Sequence, residues 1–173
     1  MDTSPWTRTL ARFGLDDPFE PGRTAPHMRK ALRDATPHLD VAPPAVEAVS
    51  ELSIPGTAGD IPARLYIPNG SEAPAPCTLF CHGGGYVIGD LETHCLAAFD
   101  WLAGEGAELT GADPQRLAVA GDSAGGGLAA MLAQQRRGRV KFQLLIYPLM
   151  QLAERRKPRL KAVEGHIFSV IGL

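Results

Sequence analysis

Gly121-Asp122-Ser123-Ala124-Gly125-Gly126 follows the apolar run Arg116-Leu117-Ala118-Val119-Ala120 and opens a segment, Gly127 to Arg137, rich in Ala, Leu, Met and Gln. The order reads as strand, sharp turn, helix. In a G-x-S-x-G turn the flanking glycines let the backbone take a conformation that larger side chains block, and the Ser hydroxyl is raised at the end of the strand. Ser123 is therefore a candidate nucleophile. The following helix aims its first N–H groups and its positive dipole end at the same spot, so negative charge forming there would be stabilised by the Ala124 N–H and its neighbours. On these residues alone, a Gly-rich bend with an inert serine stands as the alternative.

A second stretch points the same way. Pro76 to His82 reads as another buried strand and runs straight into Gly83-Gly84-Gly85-Tyr86. Three glycines after a strand expose backbone, and such a loop can turn two N–H groups toward a carbonyl oxygen, as acyl transfer requires to hold an oxyanion. The segment His82 to His94, His-Gly-Gly-Gly-Tyr-Val-Ile-Gly-Asp-Leu-Glu-Thr-His, followed by Ala112 to Gly126, resembles the hormone-sensitive-lipase-like group of α/β-hydrolase esterases. Both motifs occur in that family's order. The resemblance implies an α/β-hydrolase fold and hydrolysis of small carboxylic esters without a cofactor or metal. Ser123 would be the nucleophile and Gly83, Gly84 and Ala124 the oxyanion donors. His82, Gly85 and Asp122 would support them, His82 by orienting the loop.

The chain has 173 residues, enough for one domain that buries about 70% of its unfolded surface. With 45% hydrophobic and 21% charged residues and a formal charge of −2, its composition is that of an ordinary soluble protein and offers no electrostatic case for nucleic acid. No segment reaches the roughly 18 apolar residues of a membrane span, and no apolar signal-type stretch stands at the N-terminus, so a cytoplasmic location is expected. The basic clusters Arg136-Arg137-Gly138-Arg139 and Arg155-Arg156-Lys157 read as solvated, the first at a helix end near Gly138 where cations suit the dipole. Cys77, Cys81 and Cys95 read as core thiols. The first two share a strand face about 13 Å apart, too far for a disulfide. A zinc site from Cys77, Cys81, His94 and Cys95 fits no ribbon or finger spacing.

Along the chain, Trp6, Leu10 and Phe13 repeat at helical spacing after Ser4-Pro5, and Pro26 to Ala35 offers a second helix with Met28, Leu32 and Ala35 on one side. These N-terminal residues, 1–45, would form lid-like helices in the family, or simply two amphipathic helices covering a surface. His27 and His38 read as solvent-facing. Residues 46–173 form the expected core, with 151–173 as an irregular tail. Val46 to Ile54 and Ile61 to Ile67 read as a hairpin around Pro55 to Asp60. Leu96, Phe99, Leu102 and Leu109 give one helical stripe with Trp101 packed beside it, Thr110 to Pro114 turns into the nucleophile strand, and Phe142 to Tyr147 is a last strand closed by Pro148. This order predicts a largely parallel sheet with helices on both faces and the hairpin at its antiparallel edge, the site lying at the carboxyl ends of the strands.

Two departures from the family stand out. Its members carry a further helix and strand, ending in Tyr-Arg-Leu-Ala-Pro-Glu, between the Gly-rich loop and the nucleophile. Only 40 residues separate His82 from Ser123, and they hold one helical pattern, so a unit of about 30 residues is missing. Its loss either leaves a row of backbone groups unpaired or forces its neighbours, the second and third strands, to pair directly. The family also takes its acid and its histidine from beyond the nucleophile, yet no Asp follows Ser123 here. The only downstream carboxylates are Glu154 and Glu164, and the only histidine is His166. His166 is the candidate general base, against an unstructured tail. Two rival readings remain: a catalytically impaired remnant that binds acyl compounds, and a dinucleotide loop built on Gly83, Gly85 and Gly89. The second is disfavoured because that loop does not follow the first strand of a strand–helix unit and lacks the acidic partner.

Overall fold

The computed structural model describes residues 5–15, 22, 24–57, 59–85 and 91–150, which form two compact units, one reaching to Pro43 and the other spanning Pro44–Met150. In the first, α1 (Pro5–Arg12) and α2 (Ala25–Leu39) are amphipathic helices, and Pro26 occupies the first turn of α2, where its missing N–H costs nothing. Ala35 is fully buried, the exposed His38 stacks on Phe13 with ring centres 5.3 Å apart, and the exposed His27 meets Thr24 Oγ1 at 3.0 Å. Leu32, expected on the apolar side with Ala35, is instead more than half exposed.

In the second unit, β1 (Ala48–Ile54) and β2 (Ile61–Ile67) form the antiparallel hairpin expected from the sequence, in register from Ala48 opposite Ile67 to Ile54 opposite Ile61. Arg64 pairs with Glu51 across it on its exposed surface. The hairpin is not the edge of the larger sheet: it is a separate two-stranded sheet. β3 (Ala75–Cys81), β4 (Ala112–Asp122) and β5 (Val140–Ile146) make a second, wholly parallel sheet in the order β3-β4-β5. Of the two outcomes open to a fold lacking the strand between β2 and β3, the chain takes the first. β2 and β3 do not pair, and each has one strand neighbour among the described residues.

β4 is the centre of the unit. Its apolar run is the pattern of a parallel strand covered on both sides by neighbours, and Leu117, Val119 and Ala120 are all essentially buried. Regular pairing with β3 begins at Leu117, because the register shifts between Ala75–Ala112 and Cys77–Leu117, leaving Asp113 to Arg116 as a bulge. That bulge is held by the Gln115 N–H donating to Asp113 at 2.8 Å and by Arg116 donating to the Pro74 carbonyl at 2.7 Å.

α3 (Leu91–Leu102) and α5 (Ser123–Gln135) pack together over one face of the sheet, where Phe99, Leu102, Leu117, Val119, Leu128 and Leu132 make the core. Burying each such side chain is worth roughly 1.5–3 kcal/mol. On the opposite face the cross-strand rows Thr78-Ala118-Phe142 and Phe80-Ala120-Leu144 leave Phe80, Phe142 and Leu144 about half exposed. α3 and α5 thus line the other face.

The single helical stripe expected from Leu96 to Leu109 is broken in two. Bonds from Ala103 N–H to Phe99 O and from Gly104 N–H to Trp101 O end α3, and a short α4 (Gly106–Thr110) follows. A Cβ on Gly106 would strike the Trp101 ring, so the chain turns beneath the indole and Leu109 points to solvent.

The cluster at Arg136 and Arg139 also departs from the solvated reading. Arg136 donates through Nε at 2.9 Å and Nη2 at 2.5 Å to the two oxygens of Asp100, Arg139 reaches the same carboxylate at 3.4 Å, and its guanidinium lies 5.9 Å from the Phe99 ring centre. This forked pair ties the end of α5 to α3. The Arg136 hydrogen bond, with the charges of Arg136 and Arg139, holds the Asp100 carboxyl below its ordinary value against partial desolvation. A carboxylate with a depressed folded pKa contributes stability that is present above its unfolded pKa and lost as pH falls through the folded one. Asp100→Ala should therefore lower the unfolding free energy by roughly 1 kcal/mol at pH 7, the modest figure reflecting a carboxylate partly open to water. Denaturant melts of wild type and variant should converge as pH drops below the carboxylate range. A difference that persists unchanged at low pH would mean the pair is not the source.

Candidate active site

Ser123 sits at the junction where β4 ends and α5 begins. Asp122 is extended at φ −112°, and Ser123 itself takes φ +51°, a left-handed conformation that a non-glycine residue adopts at a cost. The strain is on the serine rather than on its flanking glycines, as the sequence had suggested. Those glycines are required for a different reason. A Cβ on Gly121 would meet the Gly125 carbonyl and lie 2.7 Å from the Cys81 oxygen, and one on Gly125 would strike the Cys81 carbonyl and lie 2.5 Å from the His82 oxygen. A Cβ on Gly126 would be 2.9 Å from Pro148. The elbow thus fits against the end of β3 only because three positions carry no side chain.

That fit brings the two motifs together. Gly83 N–H donates to Asp122 Oδ1 at 2.8 Å, and a Cβ on Gly83 would run into the same carboxylate. His82 is exposed, with Nδ1 2.6 Å from the Gly83 carbonyl, a bond in which the ring N–H donates. Gly84 at φ +140° and Gly85 at φ +66° occupy backbone that side chains rarely enter. Ala124 is buried in the first turn of α5, where N–H groups have no partner within the helix.

The segment after β5 completes the surround. Leu149 N–H donates to the Ser123 carbonyl at 2.8 Å, and Tyr147, at φ +35°, brings its hydroxyl to 3.4 Å from Asp122 Oδ2. Partial desolvation, helped by the Asp122 charge and hydrogen bond, pushes the Tyr147 phenol up from its ordinary value. Sequence reading passed over Tyr147. Its signal was its place at the carboxyl end of the strand beside β4, where sites in parallel sheets form. Among the described residues no group of three or more His, Cys, Asp or Glu is arranged to hold a metal ion, and no helix is long and apolar enough to cross a membrane. His166, Glu154 and Glu164 lie outside the described residues, as do Tyr86, Gly89 and the cluster Arg155-Arg156-Lys157.

The geometry has relatives. A family model for the alpha/beta hydrolase fold matches residues 93–170. Carboxylic ester hydrolase LipN of Mycobacterium tuberculosis is 34% identical over 177 positions, covering 80% of the chain and 44% of LipN, and esterase LipI of the same organism is 36% identical, covering 79% and 52%. The solved ester-hydrolase EH1AB1 from the Lake Arreo metagenome, bound to a derivative of bipyridine phosphonate, superposes with a TM-score of 0.75 at 31% identity over 96% of the chain and 66% of its own. The chain spans about half the length of the curated relatives it matches. The LipN alignment runs over 177 positions yet uses only 80% of 173 residues, so about 40 of its positions stand opposite gaps in the chain, the size of a strand–helix unit. With two motifs in order, a parallel sheet carrying the elbow, and these likenesses in sequence and structure, the chain belongs to the hormone-sensitive-lipase-like esterase group of the α/β-hydrolase superfamily.

Proposed function

We propose that the chain hydrolyses small carboxylic esters through Ser123. The observation that carries this reading is the strained Ser123, raised at the carboxyl end of β4 directly beside the Gly-rich loop. Named activities of LipN and LipI as an ester hydrolase and an esterase support it. In the proposed reaction Ser123 Oγ attacks the ester carbonyl, and N–H groups of Gly83, Gly84 and Ala124 hold the oxyanion. His166 takes the serine proton and returns it to the leaving alcohol. His82 and Gly85 shape the loop, and Asp122 anchors it through Gly83. For Gly83 to serve the oxyanion, its N–H must turn from the Asp122 carboxylate, since one donor does not satisfy both at full strength. The proposal keeps residues 1–45 as lid-like helices, 46–173 as the hydrolase core with 151–173 as its tail, and the ordinary composition of a cytoplasmic protein.

A second reading, a remnant that binds acyl compounds without efficient turnover, is favoured by that same Gly83–Asp122 bond and by the gap of about 40 aligned positions.

The nucleophile assignment is checked by treating the protein with an organophosphonate and locating the adduct by mass spectrometry. Ser123 should carry all of it, and Ser123→Ala should carry none; label spread over several serines would remove Ser123 from the role.

Gly84→Val tests the loop. At φ +140° a β-branched residue displaces the backbone, and loss of one oxyanion donor costs about a hundred- to a thousand-fold in kcat. The circular-dichroism spectrum should hold while turnover of a short-chain nitrophenyl ester falls by that amount. Unchanged turnover would give the loop another purpose.

The rate itself discriminates between the readings. A histidine base needs its second ring nitrogen held by a carboxylate, and without that acid a serine triad loses about ten-thousand-fold. Within these 173 residues the carboxylates beyond the nucleophile are Glu154 and Glu164, and Glu164 is two residues from His166. Slow hydrolysis of activated short-chain esters, abolished by Ser123→Ala, is expected. Rates of hundreds per second would reveal a complete triad, and no Ser123-dependent hydrolysis at all would favour the binding remnant.

A further inference from the structure

Cys81 is the last residue of β3, immediately before His82 and Gly83, and Cys95 lies on α3, on the far side of the Gly-rich stretch. Both are buried and both are free thiols, the Cys81 Sγ–H donating to Cys95 Sγ at 3.2 Å inside the cluster of Phe99, Leu128 and Leu132. Cys77, a half-buried free thiol, shares their side of the sheet. Two sulfurs in contact, fourteen residues apart in sequence, are not needed to fill an apolar core, for which any small hydrophobic pair would serve.

We propose that Cys81 and Cys95 are a redox-active thiol pair that hydrogen peroxide converts to a disulfide, closing a covalent ring around the Gly-rich loop. The sulfurs need approach by only about 1.2 Å to reach the bonded distance of roughly 2.05 Å. The chemistry balances without another partner. The Cys95 sulfur attacks peroxide; an S–O bond forms, the O–O bond breaks, and the departing hydroxide leaves as water with the thiol's proton. The Cys81 sulfur then attacks the sulfenic sulfur; the S–S bond forms, the S–O bond breaks, and a second water carries off the Cys81 proton. Two thiols are oxidised by two electrons and one peroxide is reduced to two waters. The hydrogen bond from Cys81 draws the Cys95 thiol down, toward the reactive thiolate, while the same bond, with burial, keeps Cys81 protonated. Contact between the sulfurs makes the second step intramolecular, so it precedes a second peroxide and the sequence stops short of sulfinic acid. The ring so closed fixes both ends of the segment that carries Gly83, Gly84 and Gly85, and the inference stands on the thiol geometry whether or not Ser123 is a nucleophile.

The test is to expose the purified chain to millimolar-range hydrogen peroxide, denature it, and count thiols. The count should fall from three to one, return to three with dithiothreitol, and a non-reducing digest should show the Cys81 and Cys95 peptides joined and lighter by two hydrogens. Cys77→Ala should retain the cross-link and Cys95→Ala should lose it. Hydrogen exchange of the oxidised form should slow at residues 82–85 relative to the reduced form. If Cys77 oxidises while Cys81 and Cys95 stay reduced, or if the pair proceeds to separate sulfinic acids, the two are core thiols and the proposal fails. A cross-link with no change in exchange at residues 82–85 would overturn the loop-closing part of it.

Discussion

The structure depends on one close approach of backbone to backbone: the first turn of α5 against the carbonyls that end β3. Cys81 and His82 oxygens stand where a side chain on Gly121 or Gly125 would have to be, and Pro148 closes on Gly126 from the other side. Each of these contacts brings a different part of the parallel sheet to one point. β4 supplies the strained turn, β3 the carbonyl wall and the loop that leaves it, and the segment after β5 the bond to the Ser123 carbonyl. A serine at positive φ costs on the order of 1–3 kcal/mol and persists only where surroundings hold it, which is what three strands converging on two glycines accomplish.

That is also why this part of the molecule was legible in the sequence. Glycine and proline punctuate strands and helices unmistakably, so the β4 run, the elbow, the β3 strand with its three glycines, and the hairpin around Pro55 to Asp60 could all be read. What failed to read depended on contacts between elements. A hydrophobic period carried straight through Leu109, whereas Gly106 passing under Trp101 breaks the helix, a fact held in the partner and not in the pattern. Arg136 looked like a solvated end because its partner Asp100 lies thirty-six residues earlier on another helix. Cys81 and Cys95 looked like unrelated core thiols for the same reason.

The separate hairpin and the half-open sheet have a common physical origin. A strand between β2 and β3 would satisfy backbone groups on both, and the helix delivered with it would cover apolar side chains. The positions of LipN that stand opposite gaps, about 40 in all, match that unit in size, and the described sheet leaves Phe80, Phe142 and Leu144 about half exposed. Such half-exposed aromatic and aliphatic rows are uncommon on isolated folded domains and set a limit on how much the core can contribute. The elbow escapes this limit, because Leu117, Val119, Leu128 and Leu132 lie on the covered face and remain buried.

The proposed site therefore rests on the better-packed half of the sheet, and its internal tension is electrostatic. Asp122 accepts the Gly83 N–H and stands near the Tyr147 hydroxyl, which concentrates negative charge one residue from a serine that, as a nucleophile, would have to generate an oxyanion close by. A carboxylate so placed helps if it fixes the loop and hinders if it keeps the donor. Which effect wins is a matter of geometry: the Gly83 bond is near the ideal 2.8 Å whereas the Tyr147 contact, at 3.4 Å, is long and weak, so Asp122 is committed mainly to the loop. Gly84 and Ala124 then stand as the two proposed donors that the carboxylate does not engage, one in backbone only glycine adopts with ease, the other at a helix N-terminus whose dipole opposes the charge of Asp122. In the proposed reaction these two donors and the dipole would carry the oxyanion on a fixed frame, and the Gly83 N–H would add to them only as it is released from Asp122.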